Sequence, residues 1–173
     1  MFQPKTSMND TELAPPPSEV ALTNAQKRAL NILGSRMLSR GSIEKRLREL
    51  GETEENASGA AAWLARIGLI DDEEFARELV RSFARRGYGV NRIRAELQKR
   101  LVPRELWDSA LAETEPGDSA ASAETYIASK LRGAAPDRDD RRRVSAALAR
   151  RGFTWDDINA AWAAYGENLG EGS

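Results

Sequence analysis

The sequence contains no cysteine and no histidine. The first absence removes disulfides and thiol chemistry; together they remove Cys/His zinc sites, Ser-His-Asp triads and Cys-His nucleophiles. Phosphate-cradling loops of the GxGxxG or GxxxxGK[ST] type are missing too. No apolar run approaches the roughly 20 residues that span a bilayer. The first residues lack the basic-then-apolar order of a secretion signal. A cytoplasmic protein with no membrane segment is expected.

What is present is ordinary in amount and uneven in distribution. Of 173 residues, 40% are hydrophobic and 31% charged, with a formal net charge of −1. Yet Gln26–Arg104 holds 17 Lys and Arg against 11 Asp and Glu, and Lys130–Arg151 holds 8 against 3. Two basic regions in a neutral chain point, weakly, to a polyanionic partner.

The best-patterned stretch is Ala65–Leu101. Asp71 to Glu74 opens a helix, where carboxylates cap free N–H groups and suit the positive end of the dipole. Phe75, Leu79 and Phe83, with Ala76 and Val80, then recur at helical spacing, and Arg77, Arg81 and Arg85 fall on an adjoining face. Gly87-Tyr88-Gly89 stops that helix, and the next carries Ile93 and Leu97 inward.

Ahead of it, Thr23 or Asn24 caps a helix expected to reach about Ser39, with Ala29, Ile32, Leu33 and Met37 inside. Gly41 breaks it, Ser42 caps a short helix holding Ile43, Leu47 and Leu50, and Thr53 opens a third that buries Ala60, Ala61, Leu64 and Ile67. Behind it, Pro103 starts a helix packed by Leu106, Trp107, Ala110 and Leu111, and residues 113–118 form a linker. Three more helices follow, packed by Ala123, Ile127 and Leu131, by Val144 and Leu148, and by Ile158, Ala161 and Trp162; residues from Gly166 onward should fray. All four tryptophans read as packing residues, Trp155 included.

These elements repeat. Ile43, Leu47 and Gly51 match Ile93, Leu97 and Leu101 at a shift of 50, and these match Val144, Leu148 and Gly152 at a shift of 51. Units this small must share apolar faces with neighbours. The expected fold is all-α: an elongated, curved array of three tandem three-helix repeats, over residues 22–69, 70–114 and 115–166. A disordered leader occupies 1–21 and a disordered tail 167–173.

The residues Ile70-Asp71-Asp72-Glu73-Glu74-Phe75-Ala76, Arg86-Gly87-Tyr88-Gly89-Val90-Asn91-Arg92-Ile93 and Glu96-Leu97 resemble the signature of the RecX family of bacterial recombination regulators. Leu148 to Phe153 with Asp157-Ile158, and Arg40-Gly41-Ser42 with Leu47 and Gly51, are similar to its C-terminal and N-terminal parts. The resemblance covers about Ala25 to Tyr165. It implies a regulator, not an enzyme, without cofactor. Its partner would be the RecA recombinase filament, with single-stranded DNA within or beside it, and it would inhibit ATPase and strand exchange. Leu101 stands where the resemblance leads one to expect glycine, so the helix before it is expected to run on toward Pro103.

Candidate contacts to that partner or to nucleic acid are Arg81, Arg85, Arg86, Arg92, Arg94, Lys99 and Arg100. The competing reading is a solvated face with local pairing. After Glu78 only Glu96 offers a carboxylate on these two helices, too few to absorb the charge. Asp71–Glu74 reads as a helix start rather than a metal site, because successive residues splay around one turn. Tyr88 reads as packing over a turn in which both glycines take positive φ. The chain is expected to be a monomer. The alternative function is a stand-alone DNA-binding helical-repeat protein, recognised by tight, steeply salt-dependent binding of naked DNA.

Overall fold

A computed structural model describes residues 22–113 and 118–171; the expected leader, most of the linker and the last two residues lie outside these. The described residues hold nine α-helices. They are α1 (Asn24–Leu33), α2 (Arg40–Glu49), α3 (Glu54–Arg66), α4 (Asp72–Arg85), α5 (Val90–Lys99), α6 (Trp107–Ala112), α7 (Asp118–Leu131), α8 (Arg138–Arg150) and α9 (Trp155–Glu171), with a 3₁₀ turn at Arg104–Leu106 before α6.

Three separate apolar clusters hold them. Ala25, Ala29, Leu33, Ile43, Leu47, Ala57, Ala60, Ala61, Leu64 and Ile70 tie α1 to α2 and α3. The α4 stripe packs with Ile93, Leu97, Val102, Trp107 and Ala110. The third cluster joins Ala123, Ile127, Val144, Leu148, Phe153, Ile158 and Trp162. The protein is thus an all-α array of three three-helix repeats.

Each repeat keeps its second helix in register. Ile43 and Leu47, Ile93 and Leu97, and Val144 and Leu148 are all buried. Each of these helices ends in the same C-terminal loop, where Glu52, Val102 and Phe153 donate their N–H to the carbonyls of Leu47, Leu97 and Leu148 at 3.1, 3.1 and 3.2 Å. Such an ending needs a left-handed residue. It is Gly51 at φ 88°, Leu101 at φ 53° and Gly152 at φ 90°. The expectation that α5 runs on toward Pro103 is therefore corrected: Leu101 adopts the conformation of its glycine counterparts and α5 stops at Lys99. A side chain there costs roughly 1–2 kcal/mol. Leu101→Gly should raise stability by up to ~1 kcal/mol, less than the strain because glycine loosens the unfolded chain. Urea unfolding checks this; a destabilised variant would mean that Leu101 contributes more by packing than it costs.

Other boundaries differ from expectation. α1 ends at Leu33, with Gly34 as its C-cap, and α2 starts at Arg40 with Ser39 as N-cap. Gly41 thus lies inside α2 rather than breaking a helix. Met37 falls in the intervening loop and is exposed. Ile67, just past the end of α3, and Trp155, at the start of α9, are also exposed. α9 continues through Gly166, because Leu169 on its last turns packs against the third cluster.

The repeats meet at two joints made by the second helices end to end. In the first joint, between α2 and α5, the hydroxyls of Ser39 and Ser42 donate to the Arg100 carbonyl, Ser42 at 2.9 Å. Gly41 lies so close that a Cβ would sit 2.7 Å from the Leu101 carbonyl oxygen. In the second joint, between α5 and α8, the N–H groups of Gly89 and Asn91 donate to the carbonyls of Arg151 and Gly152, each at 3.0 Å. Arg151 reaches back over this joint. Its guanidinium donates to the Gly87 carbonyl at 3.0 Å and lies over the Tyr88 and Tyr126 rings at 5.4 and 4.8 Å. At both joints a positive helix end meets a negative one, so α8, α5 and α2 follow one another head to tail in a column, their helical lengths summing to roughly 50 Å at 1.5 Å per residue.

Candidate interaction face of the middle repeat

The expected contact residues lie on α4 and α5 and on the turns that end them. Asp71 caps α4, its carboxylate accepting from Glu73 and Glu74 N–H at 2.9 and 3.0 Å. This is the helix-start role read from the sequence. Past it, Arg77 draws in Glu73, Glu74 and Glu113.

The exposed cations are better paired than their sequence neighbourhood implied. Arg81 meets Glu74 at 2.9 Å and Glu78 at 3.4 Å, and Arg85 meets Glu78 at 3.2 Å. On α5, Glu96 is 6% exposed and bridges Arg92 (3.0 Å) and Arg100. Arg94 points away from these two, toward Asp108 of α6 at 3.8 Å. The estimate that local carboxylates are too few is corrected: Glu74 and Glu78 reach a full two turns forward, Glu96 serves two arginines, and Asp108 arrives from another helix. Arg86 makes a different contact, lying over Phe83 and Tyr88 at 5.1 and 5.4 Å. Lys99 is exposed and makes no ion pair among the described residues. The pairing sorts the seven residues into groups, and Arg100 joins Arg86 over the Phe83 ring, at 5.6 Å. Arg81 and Arg85 line α4, Arg92 and Arg100 gather around Glu96, and Arg94 stands apart.

Tyr88 packs over its turn, ring centroid 5.3 Å from that of Phe83. Only Gly87 takes positive φ, at 71°. Gly89 is a glycine for another reason, since a Cβ there would fall inside the backbone of Gly152 and Phe153.

Between the first and second repeats an open groove of about 190 Å³ is lined by Met37, Phe75, Leu79, Phe83, Glu78 and Arg100. Asp72 stands at the same junction. Its carboxylate accepts the Arg40 N–H at 2.7 Å, so it caps α2 from the neighbouring repeat. Burial holds this carboxyl above the usual aspartate range, outweighing the hydrogen bond and the charge of Arg40. Ionised Asp72 thus costs the fold something at neutral pH, and that cost disappears as pH falls below the unfolded aspartate value. Asp72→Asn keeps an oxygen for Arg40 N–H and removes the buried charge. It should be more stable than the parent at pH 7 and lose that advantage on acidification. Urea midpoints across pH check this; an advantage that grows toward acid would contradict it.

Sequence reasoning missed the joints, which carry most of the defined inter-repeat geometry. The available signal was Gly41, Gly89 and Gly152 themselves, each at a matched or neighbouring register position. It also missed Trp155, whose place inside the Thr154–Asp157 capping box, directly after Thr154, leaves its ring in solvent.

Comparison with known proteins places this arrangement. A family model described as the second three-helix domain of RecX matches residues 71–111, and one for the third three-helix domain matches residues 120–162. The regulatory protein RecX of Mycolicibacterium vanbaalenii is 36% identical over 140 residues, covering 75% of this chain and 75% of its own. That of Xanthomonas axonopodis pv. citri is 37% identical over 136 residues, covering 78% and 83%. Among solved structures, RecX from Lactobacillus salivarius superposes with a TM-score of 0.72 at 23% identity, over 82% of this chain and 94% of its own, which bears on the fold. A second structure, titled regulatory protein RecX, gives 0.71 at 25% identity, over 80% and 71%. In sequence and in the order of its three-helix units, the chain belongs to the RecX family of regulatory proteins.

Proposed function

We propose that this protein binds the RecA recombinase and its filament on single-stranded DNA and inhibits ATP hydrolysis and strand exchange, acting in the cytoplasm as a monomer and not as an enzyme. The observation that carries this reading, beside family membership, is the head-to-tail column of α2, α5 and α8. Its helices sum to roughly 50 Å, more than the ~30 Å diameter of a small domain, which suits one molecule to touching successive subunits of a filament. Binding that bridges subunits alters their activity only by favouring one filament state over another.

The arginines of α4 and α5 supply the electrostatic part of the contact. The α4 pairs of Arg81 and Arg85 with Glu74 and Glu78 are solvent-exposed and so worth about 0–1 kcal/mol each, which makes exchange for a partner's carboxylate or phosphate inexpensive, whereas Glu96 is buried and holds Arg92 and Arg100 more firmly.

The test is ATP hydrolysis by RecA from the same organism on single-stranded DNA, with this protein titrated in. A dose-dependent fall is expected, and no change with folded protein overturns the proposal. The triple variant Arg81→Ala, Arg85→Ala, Arg92→Ala should raise the half-inhibitory concentration roughly tenfold, mainly through slower association. Undiminished inhibition would move the contact off this face. Tight binding of naked DNA with a steep salt slope and no effect on RecA would favour the DNA-binding reading.

A further inference from the structure

The column of second helices has two joints and one acceptor end on which no described helix is seated. In the joints the acceptor carbonyls belong to Arg100, Arg151 and Gly152, and Arg100 and Arg151 are each followed by a left-handed residue. Their counterpart in the first repeat, at the same shift of 50, is Leu50, followed by Gly51 at φ 88°. Leu50 is 51% exposed, and a Cβ on Gly51 would have nothing within 4 Å. Among the described residues the Leu50 carbonyl has one partner, the Arg28 guanidinium at a long 3.5 Å, which itself prefers Glu52 at 2.7 Å. The end of α2 thus repeats the acceptor geometry of α8, glycine included, with no described helix seated on it.

We infer that the Leu50–Gly51 end of α2 is a docking site for the N-terminus of a helix on the partner protein, seated as Gly89 is seated on α8. The internal joints dictate its chemistry. The incoming N-cap is a serine or glycine: serine because its hydroxyl donates, as Ser39 does, and glycine because it leaves its own N–H free at close approach, as Gly89 does. Aspartate is excluded, since a carboxylate would face the negative end of α2. This argues against a second copy as occupant. The one column end another copy could offer is the start of α8, and there Asp137 is the N-cap, closed on Asp140 N–H at 2.6 Å. The occupant assigned is a helix of another protein, with a second copy left as an outcome of the test below. Assigning it to RecA rests on the function proposed above.

The test places the photocrosslinker p-benzoylphenylalanine at Leu50 and irradiates the protein on RecA filaments. A crosslink within the first turn of a RecA helix whose cap is serine or glycine supports the inference. A crosslink to residues 1–21 of the same chain, to a second copy, or to RecA away from a helix start overturns it. In parallel, Leu50→Glu puts a carboxylate at the docking end on an exposed, ordinary backbone position, so folding should be unchanged by circular dichroism. Its half-inhibitory concentration should rise roughly tenfold, as for a residue central to a contact. If the wild-type chain inhibits and Leu50→Glu inhibits equally, the docking site is wrong while the filament reading stands. If the wild-type chain does not inhibit, both fall.

Discussion

Replacing Gly152 with alanine should part the second and third repeats. Gly152 has φ 90°, and its Cβ would be forced into the backbone of Arg92 at the start of α5. The left-handed conformation costs a side chain about 1–2 kcal/mol. Overpacking against a rigid backbone adds about 1–3 kcal/mol, and backbone cannot yield as a flexible side chain does. Gly51→Ala is the matched control, with φ 88° and no atom within 4 Å of the new Cβ. It should pay the conformational cost alone. The measurement is urea unfolding of both variants, with hydrogen exchange at the Gly89 and Asn91 amides, which the second joint protects through the Arg151 and Gly152 carbonyls. Gly152→Ala should lose roughly 2–5 kcal/mol and expose those amides first. Equal losses in the two variants would show that the joint gives way at no cost.

The same residues explain how far the sequence could be read. Helical periodicity located the apolar stripes, because Phe75, Leu79 and Phe83 or Ile93 and Leu97 must face inward for any packing at all. The repeat was legible for the same reason. Helix ends were less legible where glycine served two purposes. Gly41 was read as a breaker, yet its role is to let α2 approach Leu101, and only the neighbouring repeat in place reveals that. Leu101 itself violates the local rule that left-handed positions prefer glycine, so single-residue propensity pointed the wrong way. Surface charge was least legible. Pairing between Arg94 and Asp108 crosses helices, and Glu74 to Arg81 spans two turns, neither of which adjacent spacing discloses.

An array of this kind should not unfold as one unit, and the middle repeat should matter most. Leu47, Leu97 and Leu148 are equivalent in register and all 0% exposed. Truncating any of them to alanine removes the same methyl groups from a packed cluster, at roughly 3–5 kcal/mol. The consequences differ by position, because both joints run through α5. Its far end holds α2 through Arg100, and its start is held by Arg151 and Gly152. When the second repeat opens, the first and third each lose their sole described neighbour, and units of this size are marginal alone. Leu97→Ala should therefore lower protection across all three repeats. Leu47→Ala should release α1–α3 and leave α4–α9 protected, since the second joint is untouched. Hydrogen exchange resolved by segment reads this directly, and circular dichroism should show two steps for Leu47→Ala against one early step for Leu97→Ala. A single identical transition in both variants would mean that the joints couple the repeats too strongly for a terminal unit to open alone. The column would then behave as one rigid body, and a regulator that must fit along a filament would do so without internal adjustment.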